Sequence, residues 1–135
     1  MKEGWLDDEY IVLFEEQSAS LEKAYGFFGL FPGFKLIGLR SWDDFLVQDN
    51  GGNLFTVPTV PLLQEHLASF KFNKSLESLV SDDRVRARIK WYVTPIVFGG
   101  DPTLGDNVTW VTLTQHTELV QWWNQKYREL APRAR

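Results

Sequence analysis

The chain has 135 residues, the length of one domain, and its 44% apolar and 15% aromatic content excludes an intrinsically disordered protein. Its 18 acidic and 14 basic residues leave a net charge of −4, which disfavours broad attraction to nucleic-acid phosphates. Cysteine is absent, which excludes disulfides, thiolate nucleophiles and cysteine-ligated zinc. Without a basic-then-apolar leader or an apolar run of about 18 residues, we expect one cytoplasmic domain over residues 1–135, with no membrane span.

The N-terminal part of the chain is predicted to be helical. Apolar side chains recur from Tyr10 to Phe28 at spacings that keep them on one helix face. This pattern predicts a helix over Leu6–Tyr25, with Ser18–Ser20 as a point where it would divide into two helices. Glycines and a proline then predict a loop over 26–33.

The middle of the chain carries the clearest strand signal. Asp44–Gln48 and Asn53–Val57 are rich in β-branched and aromatic residues, and the turn formers of Asp49–Gly52 lie between them. The pattern predicts an antiparallel hairpin whose second strand stops at Pro58, because proline cannot donate to a ladder. Phe34–Leu39 is predicted to be a third strand beside it.

Shorter elements are predicted in the second half of the chain. A short helix is expected over Leu62–Phe70 and a helical turn over Ser75–Val80. The basic run Arg84–Lys90 alternates with apolar residues, which favours a strand, whereas an aspartate cap before it favours a helix. We expect helix at its start and strand over Ile89–Phe98, followed by a strand over Val108–Thr112.

The last predicted element is a helix that begins after Thr112. Thr112 and Gln115 match a capping box, in which two side chains satisfy two terminal N–H groups reciprocally. Its apolar face comprises His116, Leu119, Val120, Trp123, Tyr127 and Leu130. Trp122 points about 100° away from Trp123 on such a helix, which predicts that its indole is flanking and partly exposed, or lies at a contact surface.

Reactive residues form no catalytic constellation in the sequence. Asp43 and Asp44 are neighbours on a strand and would point to opposite faces, so they should not converge. Asp49 is expected to start the hairpin turn. His66 and His116 lack a third ligand motif, so we expect no metal site, no cofactor and no catalytic residues.

Beyond these elements, the chain resembles the SUKH superfamily, which includes Syd-like proteins and a fungal cell-wall regulator. The resemblance spans most of the chain, from the N-terminal helix and the glycine-proline corner to the meander and the last helix. The matching positions are Gly38, Trp42, Asp44, Phe45, Val47, Asp49, Gly51, Gly52, Phe55, Val57, Pro58, Phe98–Asp101 and Trp122–Asn124.

The resemblance implies an α+β fold in which N-terminal and C-terminal helices pack against an antiparallel β-meander. It also implies a non-enzymatic role, since bacterial members are mostly thought to be immunity proteins that bind and neutralise a cognate toxin, often a nuclease or deaminase. We therefore expect a partly acidic, aromatic-bearing surface that complements a basic toxin. The candidate partner-binding residues are Trp42, Asp43, Asp44, Asp49, Asp101 and Asp106.

Two other functions stay open at this stage. A small enzyme or ligand-binding domain would place its pocket between the sheet and the last helix, at His116 and Trp110. An RNA-binding accessory protein would use the basic residues of Arg84–Lys90 beside Trp91 and Tyr92, although the negative net charge works against it. The oligomeric state is not specified by the sequence.

Overall fold

A computed structural model describes residues 2–14, 18–26, 33–41, 43–72, 75–85, 88–94, 98–100 and 105–130. Within these ranges the chain forms a six-stranded antiparallel sheet in simple sequential order, a two-stranded sheet and two α-helices. This confirms the predicted α+β class. The larger sheet contains β1 (Lys2–Leu6), β2 (Glu9–Leu13), β3 (Phe34–Arg40), β4 (Asp44–Asp49), β5 (Leu54–Pro58) and β6 (Ala68–Phe70). The remaining elements are α1 (Ser18–Ala24), β7 (Ile89–Tyr92), β8 (Val108–Val111) and α2 (Leu113–Leu130).

The N-terminal segment is a β-hairpin, so the helix predicted over Leu6–Tyr25 is wrong in its first half. β1 pairs with β2 across a tight turn in which Leu6 lies opposite Glu9. β2 is also paired with β3, and its central residues are buried on both faces. A strand covered on both faces carries a continuous apolar run, which helical spacing alone does not distinguish from a helix. The helix begins only at Ser18, whose hydroxyl donates to the carbonyl of Leu36.

The predicted central meander is confirmed. β3, β4 and β5 pair in order, with Phe45 opposite Val57 and Val47 opposite Phe55. The turn between β4 and β5 is closed by Asp49, whose Oδ1 accepts hydrogen bonds of 2.9 Å from the amides of Gly51 and Asn53. Short-range hydrogen bonds of this kind explain why the hairpin was recognisable from local sequence.

The predicted helix over Leu62–Phe70 is wrong. A single 3₁₀ turn covers Gln64–His66, and the chain then forms β6 on the edge of β5. The amide of Leu62 donates a hydrogen bond to the Asn124 side chain on α2, and this contact fixes a non-helical backbone there. Long-range pairing has therefore overridden a weak local helical pattern.

The remaining predictions are confirmed in part. The helical turn predicted within Ser75–Val80 is a 3₁₀ turn over Leu76–Ser78. The expected helix at Arg84 is only a turn, and the strand expected over Ile89–Phe98 ends at Tyr92. Residues 95–97 and most of the loop predicted over 26–33 lie outside the described residues. The strand predicted over Val108–Thr112 is confirmed as β8.

The main core lies between one face of the larger sheet and a layer formed by α1, α2 and the β7–β8 pair. Its members are Tyr10, Val12, Phe14, Leu21, Tyr25, Leu36, Leu39, Phe45, Val47, Val57, Leu62, Ile89, Trp91, Val111 and Val120. On the opposite sheet face, Leu6, Ile11 and Leu46 are buried outside this cluster. The sheet is thus covered on both faces near its centre, and both helices contribute to the main core.

The C-terminal helix follows its sequence pattern closely. The amide of Thr112 donates to Gln115 Oε1 and the amide of Gln115 donates to Thr112 Oγ1, which is the predicted capping box. The predicted face is inward, with His116 and Val120 fully buried, although Leu130 is exposed at the end. Across the described residues, no helix combines the length and apolar content needed to cross a membrane.

Candidate functional site

The corner between β3 and β4 gathers the largest group of interacting charged side chains that the described residues show. Arg40 ends β3 and Asp44 begins β4, and the two strands are connected by three residues, of which Ser41 and Asp43 are described. Ser41 holds a φ of 54°, which is uncommon for a residue other than glycine. The amide of Thr59 donates to the Asp43 carbonyl at 2.9 Å and ties the corner to the end of β5.

Arg40 is the centre of an ion network on this corner. Its Nε lies 2.5 Å from Glu9 Oε2, and its Nη1 lies 3.3 Å from Asp44 Oδ2. The three side chains come from neighbouring strands β2, β3 and β4, so sheet register places them side by side. The guanidinium also lies 5.2 Å from the ring centroid of Phe70. Arg40 is therefore held in one orientation by two carboxylates and an aromatic ring.

Partial burial alters the acidity of both corner aspartates. Burial, with the neighbouring negative charge of Asp43, raises the pKa of Asp44 to about 6, against the opposing effect of Arg40. Burial also raises the pKa of Asp43, and the positive charges of Lys90 and Arg40 oppose that rise. These carboxylates are thus less stabilised as anions than they would be in water. The negative charge of Asp43 acts on Asp44, so the two carboxylates interact through their charges.

Aromatic side chains extend the corner onto the smaller sheet. Lys90 lies opposite Trp110 and Tyr92 lies opposite Val108, so these four share the outer face of the β7–β8 pair. The ammonium of Lys90 lies 5.6 Å from the Tyr92 ring centroid. Trp110 is 41% exposed.

Electrostatic coupling shows that this outer face adjoins the corner. Burial, followed by the negative charge of Asp43, raises the pKa of Tyr92. The charge of Lys90 in turn stabilises ionised Asp43. We call the combined region the corner surface, defined by Asp43, Asp44, Lys90, Tyr92 and Trp110.

The other predicted partner-binding residues do not gather at one place. Trp42 and Asp101 lie outside the described residues. Asp49 is at the far end of β4, about 16 Å along the strand from Asp44. The hydrogen bonds from Asn53, first among several within the turn, lower the pKa of Asp49. Asp106 is exposed in the 3₁₀ turn Gly105–Asn107 that precedes β8.

Sequence reasoning missed Glu9 and Arg40 and placed Lys90 in a basic stripe. The pairing of Arg40 with Asp44, four residues apart across a corner, was a readable charge signal. Glu9 was not readable, because the segment around it was interpreted as a helix. Lys90 and Tyr92 share a face through the strand alternation already noted in this stretch.

The pocket suggested at His116 and Trp110 is not formed by these two residues. His116 is fully buried, its Nδ1 lies 2.6 Å from the Tyr25 hydroxyl, and its ring contacts Trp91 edge-on at 5.3 Å between centroids. Trp91 faces the core, where it contacts His116, whereas Trp110 faces outward. The two-stranded β7–β8 sheet therefore separates Trp110 from His116. Burial lowers the pKa of His116 to about 3, which keeps the imidazole neutral at physiological pH.

The basic run does not form a continuous cationic stripe in the described residues. Arg84 forms two side-chain hydrogen bonds with Asp82, of 3.0 and 2.9 Å, and is thereby neutralised locally. Arg86 lies outside the described residues, and Arg88 is exposed. Lys90 faces Tyr92 and Asp43 instead of extending an arginine row.

Within the described parts of the chain, no group of three or more histidine or acidic side chains is arranged to hold a metal ion. Comparison of the chain with protein-family models, with curated proteins and with solved structures found no match in any of the three.

Proposed function

We propose that this chain is a non-enzymatic binding protein, an immunity protein of the SUKH type, whose corner surface binds and neutralises a basic protein toxin. The observation that carries the proposal is the pair of partly buried carboxylates, Asp43 and Asp44, of which Asp43 is electrostatically coupled to Lys90 and Tyr92 on the outer face of β7. A cation from a partner would favour the ionised form of both carboxylates.

The charge balance of the corner favours a cationic partner. Three carboxylates, those of Glu9, Asp43 and Asp44, surround two cations, Arg40 and Lys90. Arg40 is already shared by two of the carboxylates. A lysine or arginine of a toxin would therefore meet an unbalanced negative charge in a region with reduced access to water, where a charge-assisted hydrogen bond is strong.

Two aromatic residues lie on the outer face that is coupled to Asp43, namely Tyr92 on β7 and Trp110 on β8. Tyrosine and tryptophan are over-represented among residues that contribute most to binding energy, since each covers a large area with few rotatable bonds. Trp110 and Tyr92 are on paired strands, so their backbone positions are set before binding. The net charge of −4 would also speed encounter with a basic protein.

The proposal is tested by capture followed by a protection assay. The chain is used as bait in lysate of its native host, and a captured basic protein is then expressed alone and together with the chain in a bacterial culture. We expect growth arrest by the captured protein alone and normal growth on co-expression. Asp43→Lys should weaken binding at least about tenfold and abolish protection, because it places a cation against a cation.

Glu65→Lys is the matched control, because it makes the same charge change at an exposed position in the Gln64–His66 turn. It should bind and protect like the unmodified chain. A captured protein that is harmless when expressed alone would contradict the proposal, as would full protection by Asp43→Lys. An RNA partner would give a different pattern, in which affinity falls steeply with salt and Asp43→Lys does not weaken it.

A further inference from the structure

The outer face of α2 carries an exposed tryptophan between two opposite charges. Trp122 is 54% exposed, whereas His116, Val120 and Asn124 on the other face of the helix are buried. Glu118, Trp122 and Lys126 are spaced by four residues and therefore form one stripe along the helix. The Lys126 ammonium lies 5.3 Å from the centroid of the Trp122 ring, which is a cation–π contact.

An open groove of about 370 Å³ lies beside this stripe, and Trp122 forms one of its walls. Its other lining residues are Val111 at the end of β8 and Gln115, Glu118 and Leu119 on α2. The floor is thus mostly apolar and its rim carries a carboxylate. An indole ring with a cation beside it matches such a groove, because the ring is apolar like the floor and the cation is opposite in charge to the Glu118 carboxylate.

We propose that this face binds a second copy of the chain, as an antiparallel, two-fold symmetric pair of α2 helices in which Trp122 of each copy enters the groove of the other. A two-fold axis across the helix inverts the order of the stripe, so the acidic end of one copy faces the basic end of the second. Glu118 and Lys126 are eight residues apart, about 12 Å along the helix axis, with Trp122 midway between them.

Charge complementarity selects this occupant. When Trp122 of the second copy enters the groove, its Lys126 ammonium arrives with it and meets Glu118 on the groove rim. Symmetry forms the same contact twice. Within one copy, Lys126 is only 3.9 Å from Glu129 in an exposed pair, which is easily exchanged for a new partner. A parallel arrangement would instead oppose like charges and is disfavoured.

The test is the oligomeric state of the full chain and of five variants by analytical ultracentrifugation from about 1 µM to about 1 mM. We expect a concentration-dependent monomer–dimer equilibrium for the unmodified chain. Trp122→Ser should remain monomeric over this range. Glu118→Lys and Lys126→Glu should each raise the dimer Kd at least about tenfold, because each opposes like charges.

The double variant Glu118→Lys/Lys126→Glu is the decisive measurement. It exchanges the two ends of the stripe and keeps the net charge, so it should restore the dimer Kd to within about threefold of the unmodified value. Circular dichroism of each variant checks that α2 stays folded. A monomer at every concentration would overturn the proposal, and so would a dimer that survives Trp122→Ser or a double variant as weak as the single ones. Asp43→Lys should dimerise normally, which separates this surface from the corner surface.

Discussion

At the scale of single residues, His116 joins three parts of the fold. Its ring is buried on α2, its Nδ1 lies 2.6 Å from the hydroxyl of Tyr25 just after α1, and it contacts Trp91 of β7 edge-on. Its Nε2 has no hydrogen-bond partner among the described residues. The Tyr25 hydroxyl is thus the single described polar contact of a buried imidazole, and loss of that contact should be costly.

Tyr25→Phe should lower the free energy of unfolding by about 1–3 kcal/mol, since it leaves the His116 Nδ1 buried and unpaired. Urea titration followed by circular dichroism measures the change. Tyr10→Phe is the matched control: the Tyr10 hydroxyl donates to the half-buried Glu3, whose carboxylate water can still reach. The control should cost less than Tyr25→Phe, because water can replace the lost hydroxyl at Glu3. Equal losses in the two variants would contradict the role assigned to the buried contact.

His116 and Asp44 contribute in opposite directions to the pH dependence of stability. His116 has a pKa of about 3 in the fold against an ordinary 6.5, so between these values the unfolded chain binds a proton that the folded chain does not. The free energy of unfolding therefore falls as pH falls from 6.5, by up to about 1.4 kcal/mol per pH unit. Asp44, with a pKa of about 6 against 3.8, binds its proton first in the folded chain and so adds stability as pH falls through this window.

Urea titrations from pH 7 to about pH 4 separate the two contributions. His116→Gln removes the titrating imidazole, and its stability should fall less on acidification than that of the unmodified chain, or rise. Asp44→Asn removes the opposing group, and its stability should fall more steeply. The slope against pH is the readout, because both substitutions also change stability at neutral pH. Parallel slopes in all three proteins would show that neither group titrates as described.

At the scale of elements, Asn124 connects α2 to the segment that follows β5. Its Oδ1 accepts from the amide of Leu62 at 2.7 Å, and its Nδ2 donates to the carbonyls of Thr59 at 2.7 Å and Val120 at 2.9 Å. The side chain is 6% exposed. One asparagine thus satisfies buried backbone groups of a segment that forms neither helix nor strand there.

Asn124→Ala should lower the free energy of unfolding by about 2–4 kcal/mol, because it leaves the Leu62 amide and the Thr59 carbonyl buried without their partner. The specific readout is hydrogen exchange of the Leu62 amide, which should lose its protection. Gln125→Ala, at the adjacent exposed position, should change stability by less than about 0.5 kcal/mol. A Leu62 amide that stays protected in Asn124→Ala would refute the connection.

At the scale of the whole molecule, the two sheets and both helices share one core. Val12 and Phe45 of the larger sheet belong to the same cluster as Trp91 of the smaller sheet and Val120 of α2. The interior therefore has no boundary between the two sheets along which one could unfold alone. We expect cooperative behaviour of residues 1–135 as a single unit.

Urea unfolding should give one transition with the same midpoint by far-ultraviolet circular dichroism, which reports backbone structure, and by tryptophan fluorescence. Trp91 lies in the smaller sheet, whereas the backbone signal comes from every element. Val120→Ala should shift both midpoints together, since it opens a cavity where the sheets and α2 meet. Tryptophans in β1, β7, β8 and α2 all contribute to the fluorescence, so midpoints that separate, in either protein, would show that the chain does not unfold as one unit.

Two surfaces of this molecule bear on binding. The corner surface combines partly buried carboxylates with Tyr92 and Trp110, and the outer face of α2 presents Trp122 between opposite charges. The first carries the proposed toxin contact and the second the proposed self-association. Since they are tested by Asp43→Lys and by the Glu118/Lys126 exchange respectively, failure of one leaves the other intact.

Local signals in the sequence determined the elements that depend on local contacts. The β4–β5 hairpin follows from turn residues whose hydrogen bonds span a few positions, and the start of α2 follows from Thr112 and Gln115 bonding to each other. The inward face of α2 was readable because helical periodicity repeats over several turns. The α+β class was therefore predictable from these elements together with the resemblance.

Tertiary structure alone decided which distant residues meet. Tyr25 and His116 are 91 positions apart, and no local window pairs them. The N-terminal hairpin forms because β2 pairs with β3. This pairing overrode the helix-compatible spacing of the apolar residues in that segment. Asp43, Lys90 and Tyr92 come together only because the smaller sheet packs near the β3–β4 corner. Burial at these meeting points, which composition does not encode, sets the pKa values and charge balance on which the proposed function depends.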